Sequence, residues 1–430
     1  MTTRPLHFST QTRSADHSRA SRKSRSWRVI HACEYARDVL PVVEGQVAAG
    51  MQPYIVTPCG SGSAEVYLSA KTAEQPRPLS LIRSWQDVRG WRKSILDCDP
   101  ENSADLVHAH TFAAGMAAVR SCSSVVYDFQ DCIDELAMVA KQAGPGSWMG
   151  RSFRAAEQFI LSRAGAVIVH SLGMKEAARE RGAPQANIFL IPDPLSTEDA
   201  LAPSFSAGPS SGKRVESGSQ PIVFLAPRLT AALNEKLPPG SMLVLEALTV
   251  AVREFSRCRL VLEAAPGTGP PLLQQAEKMG IAKRVSLVDA GGSASAWQSA
   301  HVVIALGEPL SDPLAARRPN PVCLEALRHG AALLAGDVPR NRDVSPDGRG
   351  CLWFEPNNAR DLGCRMAFLG ANPDFRTALA RTGRLHLLET RNSTAIGRKY
   401  GEAYLYAIGR RKTKHSGPGL TAFYPAANCA

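Results

Sequence analysis

The stretch Asn320–Asp337, "NPVCLEALRHGAALLAGD", decides the fold because it joins a capped helix to a buried strand. Asn320 is a favourable N-cap, Pro321 is a favourable first helical residue, and Gly330 is a natural helix end. The apolar run that follows the glycine has no polar alternation, which is typical of a strand covered on both faces. The stretch therefore predicts one helix–strand unit of a parallel α/β sheet.

Units of this kind repeat through most of the 430-residue chain. Apolar segments with strand character occur at 27–33, 53–58, 105–110, 124–131, 165–171 and 188–194, and again at 221–227, 258–264, 284–290, 301–306, 331–336 and 350–356. Segments with helical periodicity separate most of them. The alternation predicts two doubly wound, Rossmann-like domains with parallel sheets facing a central cleft. Such folds bind ligands beyond the carboxyl ends of their strands, so we expect the site in that cleft.

Composition divides the chain further. A Ser-, Gly- and Pro-rich stretch splits the body into two halves, and both ends of the chain are basic. We predict a disordered basic tail at 1–26, a first domain at 27–202, a linker at 203–220, a second domain at 221–392, a helix at 393–409 that packs back on the first domain, and a disordered basic tail at 410–430.

The formal net charge of +11 lies almost entirely at the two ends, since residues 1–28 and 410–430 together carry +10. The body is therefore near neutral, and its charge does not predict specific nucleic-acid binding. No apolar run reaches the length of about 18 residues that a membrane span needs. None of the ten cysteines forms a C-x-x-C pair, so paired cysteines predict no zinc site and a reduced setting fits best. We predict a cytoplasmic protein, with peripheral contact of the basic tails at the inner face of the membrane left open.

Glu325 is the candidate ligand-binding acid of the opening stretch. It lies one turn inside a helix whose free N-terminal N–H groups suit a phosphate. From there its carboxylate could accept hydrogen bonds from two vicinal hydroxyls, as in a ribose. The alternative is that Glu325 only favours the helix dipole or pairs with Arg328.

Arg228 and Lys236 are candidate cations of the second half. Arg228 ends the first strand of that half, and Lys236 follows in a loop before a helix. Two cations at the carboxyl end of a strand could clamp a diphosphate. The alternative for each is an ordinary solvated surface charge.

Polar side chains also follow three buried strands of the first half. They are His108 and His110, then Asp128, Gln130 and Asp131, then His170 and Ser171. At strand ends they could contact an acceptor or a sugar, which we predict for His110, Asp131 and Ser171 in particular. The alternatives are satisfied structural histidines and acids that cap the next helix.

The order and spacing of several short motifs carry a family resemblance. The second half has Arg228-Leu229, a loop with Lys236, "EAL" from Glu246, "PGTGP" from Pro266, the glutamate helix "CLEALRHGAALLAGD" and "DGRGCLWFEP". The first half has "DLVHAH", "VVYDFQD", "AVIVHS" and "IFLIPDP". Over about residues 27–408 the chain resembles retaining family 4 glycosyltransferases (glycosyl transferases group 1) of the GT-B type.

The resemblance implies a role for each matching position. The first domain would bind the acceptor and the second the nucleotide-sugar donor. It implies that Glu325 holds the donor ribose, that Arg228 and Lys236 bind the diphosphate, and that Gln130 lies near the reacting carbon of the sugar. It also implies that Asn320, Pro321 and Val322 approach the phosphates and the sugar.

Two site positions are among the departures from the family's pattern. Arg317 occupies the place of the first glutamate of the motif that Glu325 completes, and Gln130 occupies the place of a histidine. Gln130 can form hydrogen bonds but cannot hold a positive charge. Glu308 or Asp312, in the loop before the helix, could substitute for the missing acid.

The resulting expectation is a glycosyltransferase that moves a sugar from a nucleotide-diphosphate sugar to an acceptor hydroxyl with retention. Its partners would be that donor and a glycan, lipid or small-molecule acceptor, with no cofactor and no obligatory metal. One alternative is a nucleotide-binding scaffold that serves another transferase, and a second is a sugar-nucleotide epimerase of the same shape.

Overall fold

The computed structural model describes residues 27–34, 36–48, 50–57, 60–63, 81–99, 103–122, 124–144, 146–195, 221–229, 240–264, 268–289, 294–307 and 316–415. The predicted tail at 1–26 and the predicted linker at 203–220 lie outside these residues. So do Lys236, Glu308 and Asp312, and the side chain of Arg228.

The first half of the chain forms a seven-stranded sheet with the order β3-β2-β1-β4-β5-β6-β7. The strands are β1 (Arg28–Ala32), β2 (Gln52–Thr57), β3 (Gly60–Ser63), β4 (Leu106–Ala109), β5 (Val125–Asp128), β6 (Ala166–Val169) and β7 (Ile188–Leu190). All neighbours are parallel except β2 and β3, which pair antiparallel. The sequence did not predict β3, because its residues, "GSGS", carry no apolar side chain.

The second half forms a six-stranded parallel sheet with the order β10-β9-β8-β11-β12-β13. Its strands are β8 (Ile222–Leu229), β9 (Cys258–Ala264), β10 (Val285–Asp289), β11 (Val302–Ala305), β12 (Ala332–Gly336) and β13 (Cys351–Phe354). In both sheets the chain starts in the middle, winds to one side and then to the other. The two sheets therefore confirm the predicted doubly wound, Rossmann-like architecture.

Helices connect the strands and cover both sheets. They are α1 (Ala36–Ala48), α2 (Leu81–Cys98), α3 (Phe112–Ser121), α4 (Ile133–Val139), α5 (Trp148–Arg163), α6 (Leu172–Glu180), α7 (Ser241–Glu254), α8 (Gly269–Lys278), α9 (Ala294–Ser299), α10 (Pro321–His329), α11 (Pro339–Arg342), α12 (Ala359–Ala371), α13 (Pro373–Arg391) and α14 (Ser393–His415). Among the described residues, none of these helices is long and apolar enough to cross a membrane.

The opening stretch folds as its local signals predict. The Asn320 side chain accepts a hydrogen bond from the Val322 N–H at 3.0 Å, and Pro321 is the first residue of α10. Gly330 ends the helix with φ of 70°, a left-handed conformation that glycine adopts without strain. Every residue of the following strand β12 is buried, as its unbroken apolar run requires.

The last helix, α14, packs against the first sheet. Ile396, Tyr400, Ala403 and Tyr404 on α14 are buried with Val126 of β5 in one apolar cluster. The helix continues to His415, so the predicted start of the basic tail at residue 410 is too early. The chain thus returns from the second half to the first, and the two halves share this element.

Candidate functional site

The carboxyl ends of β4, β5 and β6 bring polar side chains to one edge of the first sheet. His110 follows β4, Asp128 ends β5, and His170 follows β6. Because these strands are parallel neighbours, their carboxyl ends lie side by side. The three residues accordingly meet in one hydrogen-bonded cluster, with Gln130 at its exposed side.

Asp128 is the centre of this cluster and is buried. One carboxylate oxygen accepts from Nδ1 of His110 at 3.0 Å and from Nε2 of Gln130 at 3.1 Å. The other accepts from Nε2 of His170 at 2.7 Å. Burial opposes ionisation, but the charge of His170 and the hydrogen bonds of both histidines outweigh it and hold the pKa of Asp128 well below its usual value.

His170 is held as an imidazolium by its surroundings. Nδ1 lies 2.7 Å from the Ile191 carbonyl oxygen and 3.2 Å from a carboxylate oxygen of Asp193, and Nε2 faces Asp128. All of these partners can only accept, so both ring nitrogens must donate. Burial alone would lower the pKa, but Asp128 and Asp193 raise the pKa of His170 to about 10.

A chain of buried hydrogen bonds leads from His110 to the last helix. His110 Nε2 lies 2.9 Å from His31 Nδ1, and His31 Nε2 lies 2.8 Å from Oε1 of Gln46. The Gln46 amide donates to the Tyr404 hydroxyl at 2.7 Å, and that hydroxyl lies 2.9 Å from His108 Nδ1. Both ring nitrogens of His110 are engaged within the protein, which favours its structural interpretation over direct contact with an acceptor.

The second half contributes the N-terminus of α10. The cap residue Asn320 is buried, and its amide donates to Asn341 Oδ1 at 2.8 Å. Asn341 is buried too and donates to the Gly336 carbonyl oxygen at 2.8 Å. These bonds fix the start of the helix, whose first N–H groups carry the partial positive charge that suits a phosphate. Pro321 is exposed at this end, whereas Val322 is buried.

Glu325 is half-buried and pairs within its own helix. Arg328 donates to Glu325 Oε2 at 2.8 Å and 3.1 Å, and His329 Nε2 lies 3.5 Å from the same oxygen. The hydrogen bond of His329 and the charge of Arg328 lower the pKa of Glu325, so the carboxylate is ionised. The pairing with Arg328 matches the alternative considered from the sequence.

Arg317 and Arg318 cross from the second half to the first. Arg317 donates to both carboxylate oxygens of Glu135 at 3.1 Å, and Arg318 pairs with Asp131. Arg317 thus stands where the family's pattern has an acid, and its charge is balanced by an acid of the opposite half. Asp131, which was expected to contact the acceptor, is instead paired with Arg318 across the cleft.

The backbone before α10 also touches the first half closely. The Ser171 hydroxyl donates to the Arg317 carbonyl oxygen at 2.5 Å and accepts from the Met174 N–H at 3.0 Å, so it caps α6 and binds across the cleft at once. A Cβ at Gly173 would lie 2.7 Å from that carbonyl oxygen. Glycine is therefore required at 173 by the close approach of the two halves.

Sequence reasoning missed several members of this site. His31, Gln46 and Tyr404 complete the hydrogen-bond chain, and Glu135 receives Arg317. One signal was available, since a histidine in the otherwise apolar strand "RVIHA" needs a polar partner. Arg228 and Lys236 cannot be placed relative to Glu325, because their side chains lie outside the described part of the chain.

Comparison with known proteins fits this geometry. Residues 35–194 match the family model of the glycosyl transferase 4-like domain. No curated protein sequence matches the chain.

Solved structures resemble the whole arrangement at low sequence identity. A glycosyltransferase from Rickettsia africae has a TM-score of 0.58 at 13% identity, with 89% of this chain and 99% of that chain covered. HepE from Anabaena, in complex with UDP, has 0.55 at 14%, with 88% and 98% covered. A candidate UDP-N-acetylglucosamine 2-epimerase from Listeria monocytogenes has 0.51 at 14%, with 90% and 97% covered. At these identities the likeness shows the fold.

Both sheets are doubly wound, and the last helix packs back on the first sheet. The family model matches residues of that first sheet, which agrees with the fold. Residues 35–194 match the model of the glycosyl transferase 4-like domain, and the chain as a whole has the GT-B fold seen in solved glycosyltransferases.

Proposed function

We propose that the protein transfers a sugar from a nucleoside-diphosphate sugar to an acceptor hydroxyl, with retention of configuration at the sugar. One observation carries this proposal. The N-terminus of α10, which suits a phosphate, is held by Arg317 and Ser171 against the edge of the first sheet that presents Gln130. A diphosphate at the helix end would then place its sugar beside that edge. HepE, which has the same fold, was solved with UDP bound.

The donor would be held by the second half. The N–H groups at the start of α10, with Asn320 and Val322, would face the phosphates, and Arg228 and Lys236 would add positive charge. Glu325 would accept hydrogen bonds from the ribose in exchange for part of its pairing with Arg328. Charge that develops on the departing diphosphate is stabilised by such prepositioned donors.

The acceptor would be bound by the first half. The bond between the sugar and the diphosphate breaks, the acceptor oxygen bonds to the same carbon, and the hydroxyl proton passes to the departing diphosphate. Gln130, oriented by its hydrogen bond to Asp128, would bind the transferred sugar. The cross-cleft contacts of Arg317 would keep water from the reacting carbon.

A nucleotide-binding scaffold is the second candidate. The observation that favours it is the pairing of Arg317 with Glu135, because this pair occupies the position expected for a sugar-contacting acid. Such a protein would bind nucleotide and contact another transferase without consuming a donor.

Calorimetry with uridine and guanosine diphosphates, followed by a donor-consumption assay with cell extract as acceptor, tests these possibilities. Binding of one nucleotide and acceptor-dependent release of it from the matching donor would support transfer. Binding without consumption would support the scaffold. Recovery of the donor with an epimerised sugar, without any acceptor, would support an epimerase.

A further inference from the structure

Three buried histidines lie on one face of the first sheet, under α1 and α14. His31 of β1 is directly opposite His108 of β4, and His110 follows two residues later on the same side of the chain. His31 and His108 are fully buried and His110 is 8% exposed. One nitrogen from each ring lies within 4.8 Å of the other two, close enough for the three rings to converge on one metal ion.

The outer nitrogens of the three rings already have protein partners. They are Asp128 for Nδ1 of His110, Gln46 for Nε2 of His31, and Tyr404 for Nδ1 of His108, at 3.0, 2.8 and 2.9 Å. Histidines that bind metals are typically oriented in this way, with the second nitrogen hydrogen-bonded to a carboxylate, a carbonyl or water. The carboxylate of Asp128 on His110 is the strongest of these partners.

The remaining nitrogens are His31 Nδ1, His110 Nε2 and His108 Nε2. The first two face each other at 2.9 Å and share a proton. The third is buried and has no hydrogen-bond partner among the described residues, which is costly for a polar atom. A ligand that binds all three nitrogens would satisfy the unpartnered atom and replace the shared proton.

We propose that His31, His108 and His110 form a binding site for one transition-metal ion of the Zn²⁺ class, separate from the donor phosphates. Three neutral imidazoles in a buried site suit Zn²⁺, Co²⁺, Ni²⁺ or Cu²⁺ rather than Mg²⁺ or Ca²⁺.

For His31 and His110 the rearrangement that the ion requires is small. Two nitrogens bound tetrahedrally at ~2.1 Å are roughly 3.4 Å apart, so His31 and His110 would separate by about half an ångström. The His108 ring lies over this pair, with its centroid 3.9 Å from that of His110 and 5.1 Å from that of His31. Gln46 of α1 and Tyr404 of α14 form hydrogen bonds with His31 and His108. The ion would therefore stabilise the packing of both helices on the sheet.

Cobalt provides a spectroscopic test on the full-length chain. Because the site is buried, we expect metal to enter during folding, so the protein is refolded with Co²⁺ or with chelator and then desalted. The expected result is one cobalt ion per chain with the visible spectrum of a tetrahedral nitrogen site. His108→Gln should lose the ion, Asp128→Asn should bind it about 10- to 100-fold more weakly, and His301→Gln in the second half should match the unaltered chain.

Several outcomes would overturn the site. Refolded, unaltered protein that retains no cobalt shows that a hydrogen bond alone joins His31 and His110. A thiolate-to-cobalt band places the ion at cysteines instead. If His108→Gln does not fold, the unaltered chain still tests the site. Its melting temperature must rise when Zn²⁺ is added and must not rise when Mg²⁺ is added. Equal cobalt content in folded His108→Gln would also exclude the site.

Discussion

Gln130 stands at the proposed reacting centre, where the family's pattern has a histidine. It is exposed beside Asp128, and its amide donates to that carboxylate. We expect Gln130→His to keep or raise the rate of donor consumption, because an imidazole can keep the bond to Asp128 and also hold a positive charge. Gln130→Ala is the matched control and should be slower than either. If the histidine variant is as slow as the alanine variant while both fold, Gln130 does not face the sugar.

Glu325 carries the proposed ribose contact. Glu325→Ala should weaken binding of the matching nucleoside diphosphate, by about 1–3 kcal/mol, as expected for lost hydrogen bonds to a charged group. Glu389→Ala removes an exposed helical glutamate of α13 and should leave affinity unchanged. Calorimetry on both variants measures the difference. Equal affinities would mean that Glu325 only pairs with Arg328 and His329.

His170 makes folding stability depend on pH. Its pKa is raised from 6.5 to about 10, so its contribution is complete below pH 6.5 and is lost as the pH rises towards 10. A pKa that differs by one between the folded and unfolded chain is worth about 1.4 kcal/mol, so we expect the free energy of unfolding to fall by a few kcal/mol across this window. Urea unfolding of the unaltered protein and of His170→Gln between pH 6 and 10 checks this expectation. The variant should lack the fall, and parallel curves would contradict the imidazolium assignment.

At the scale of elements, the loop before α10 joins the two halves. Arg317 forms two hydrogen bonds with Glu135, which also accepts from the buried Arg181. We expect Arg317→Ala to open the cleft and to increase the radius of gyration measured by small-angle X-ray scattering. Arg179→Ala breaks an exposed ion pair inside α6 and is the control. Superimposable scattering curves for all three proteins would show that Arg317 does not hold the halves together.

The elements themselves could largely be predicted from the sequence where their signals are local. The bounds of α10 follow from Asn320, Pro321 and Gly330, which act within one or two turns. Strand β3 was missed because its residues have no apolar pattern, and α14 extends past the basic residues at which the tail was predicted to begin. Helices α2, α4, α6, α11, α12 and α13 were not assigned from the sequence.

The side-chain contacts of the site could be predicted only in part. Strand ends correctly indicated where His110, Asp128 and His170 would lie, because parallel strands align their carboxyl ends. Their partners could not be predicted, since Gln46 and Tyr404 are 358 residues apart in the chain and meet only through α14. The same holds for Arg317 and Glu135, which are 182 residues apart.

At the scale of the whole molecule, two doubly wound sheets share one closing helix and meet at Ser171, Gly173 and Arg317. This arrangement places a helix end suited to phosphate opposite a polar sheet edge. A sugar nucleotide, which combines a diphosphate with hydroxyl-rich groups at both ends, is the proposed ligand of this cleft. The proposed transfer follows from that placement, and its acceptor would be selected by loops of the first half.

The most direct measurement is a screen of uridine- and guanosine-diphosphate sugars against the purified protein, with cell extract as acceptor and free nucleoside diphosphate as the readout. We predict that at least one donor releases its nucleotide only when acceptor is present, and that Glu325→Ala slows the release. No release from any donor, by a protein that nevertheless binds UDP or GDP, would contradict sugar transfer and favour a scaffold. Failure to bind either nucleotide would contradict the nucleotide site itself.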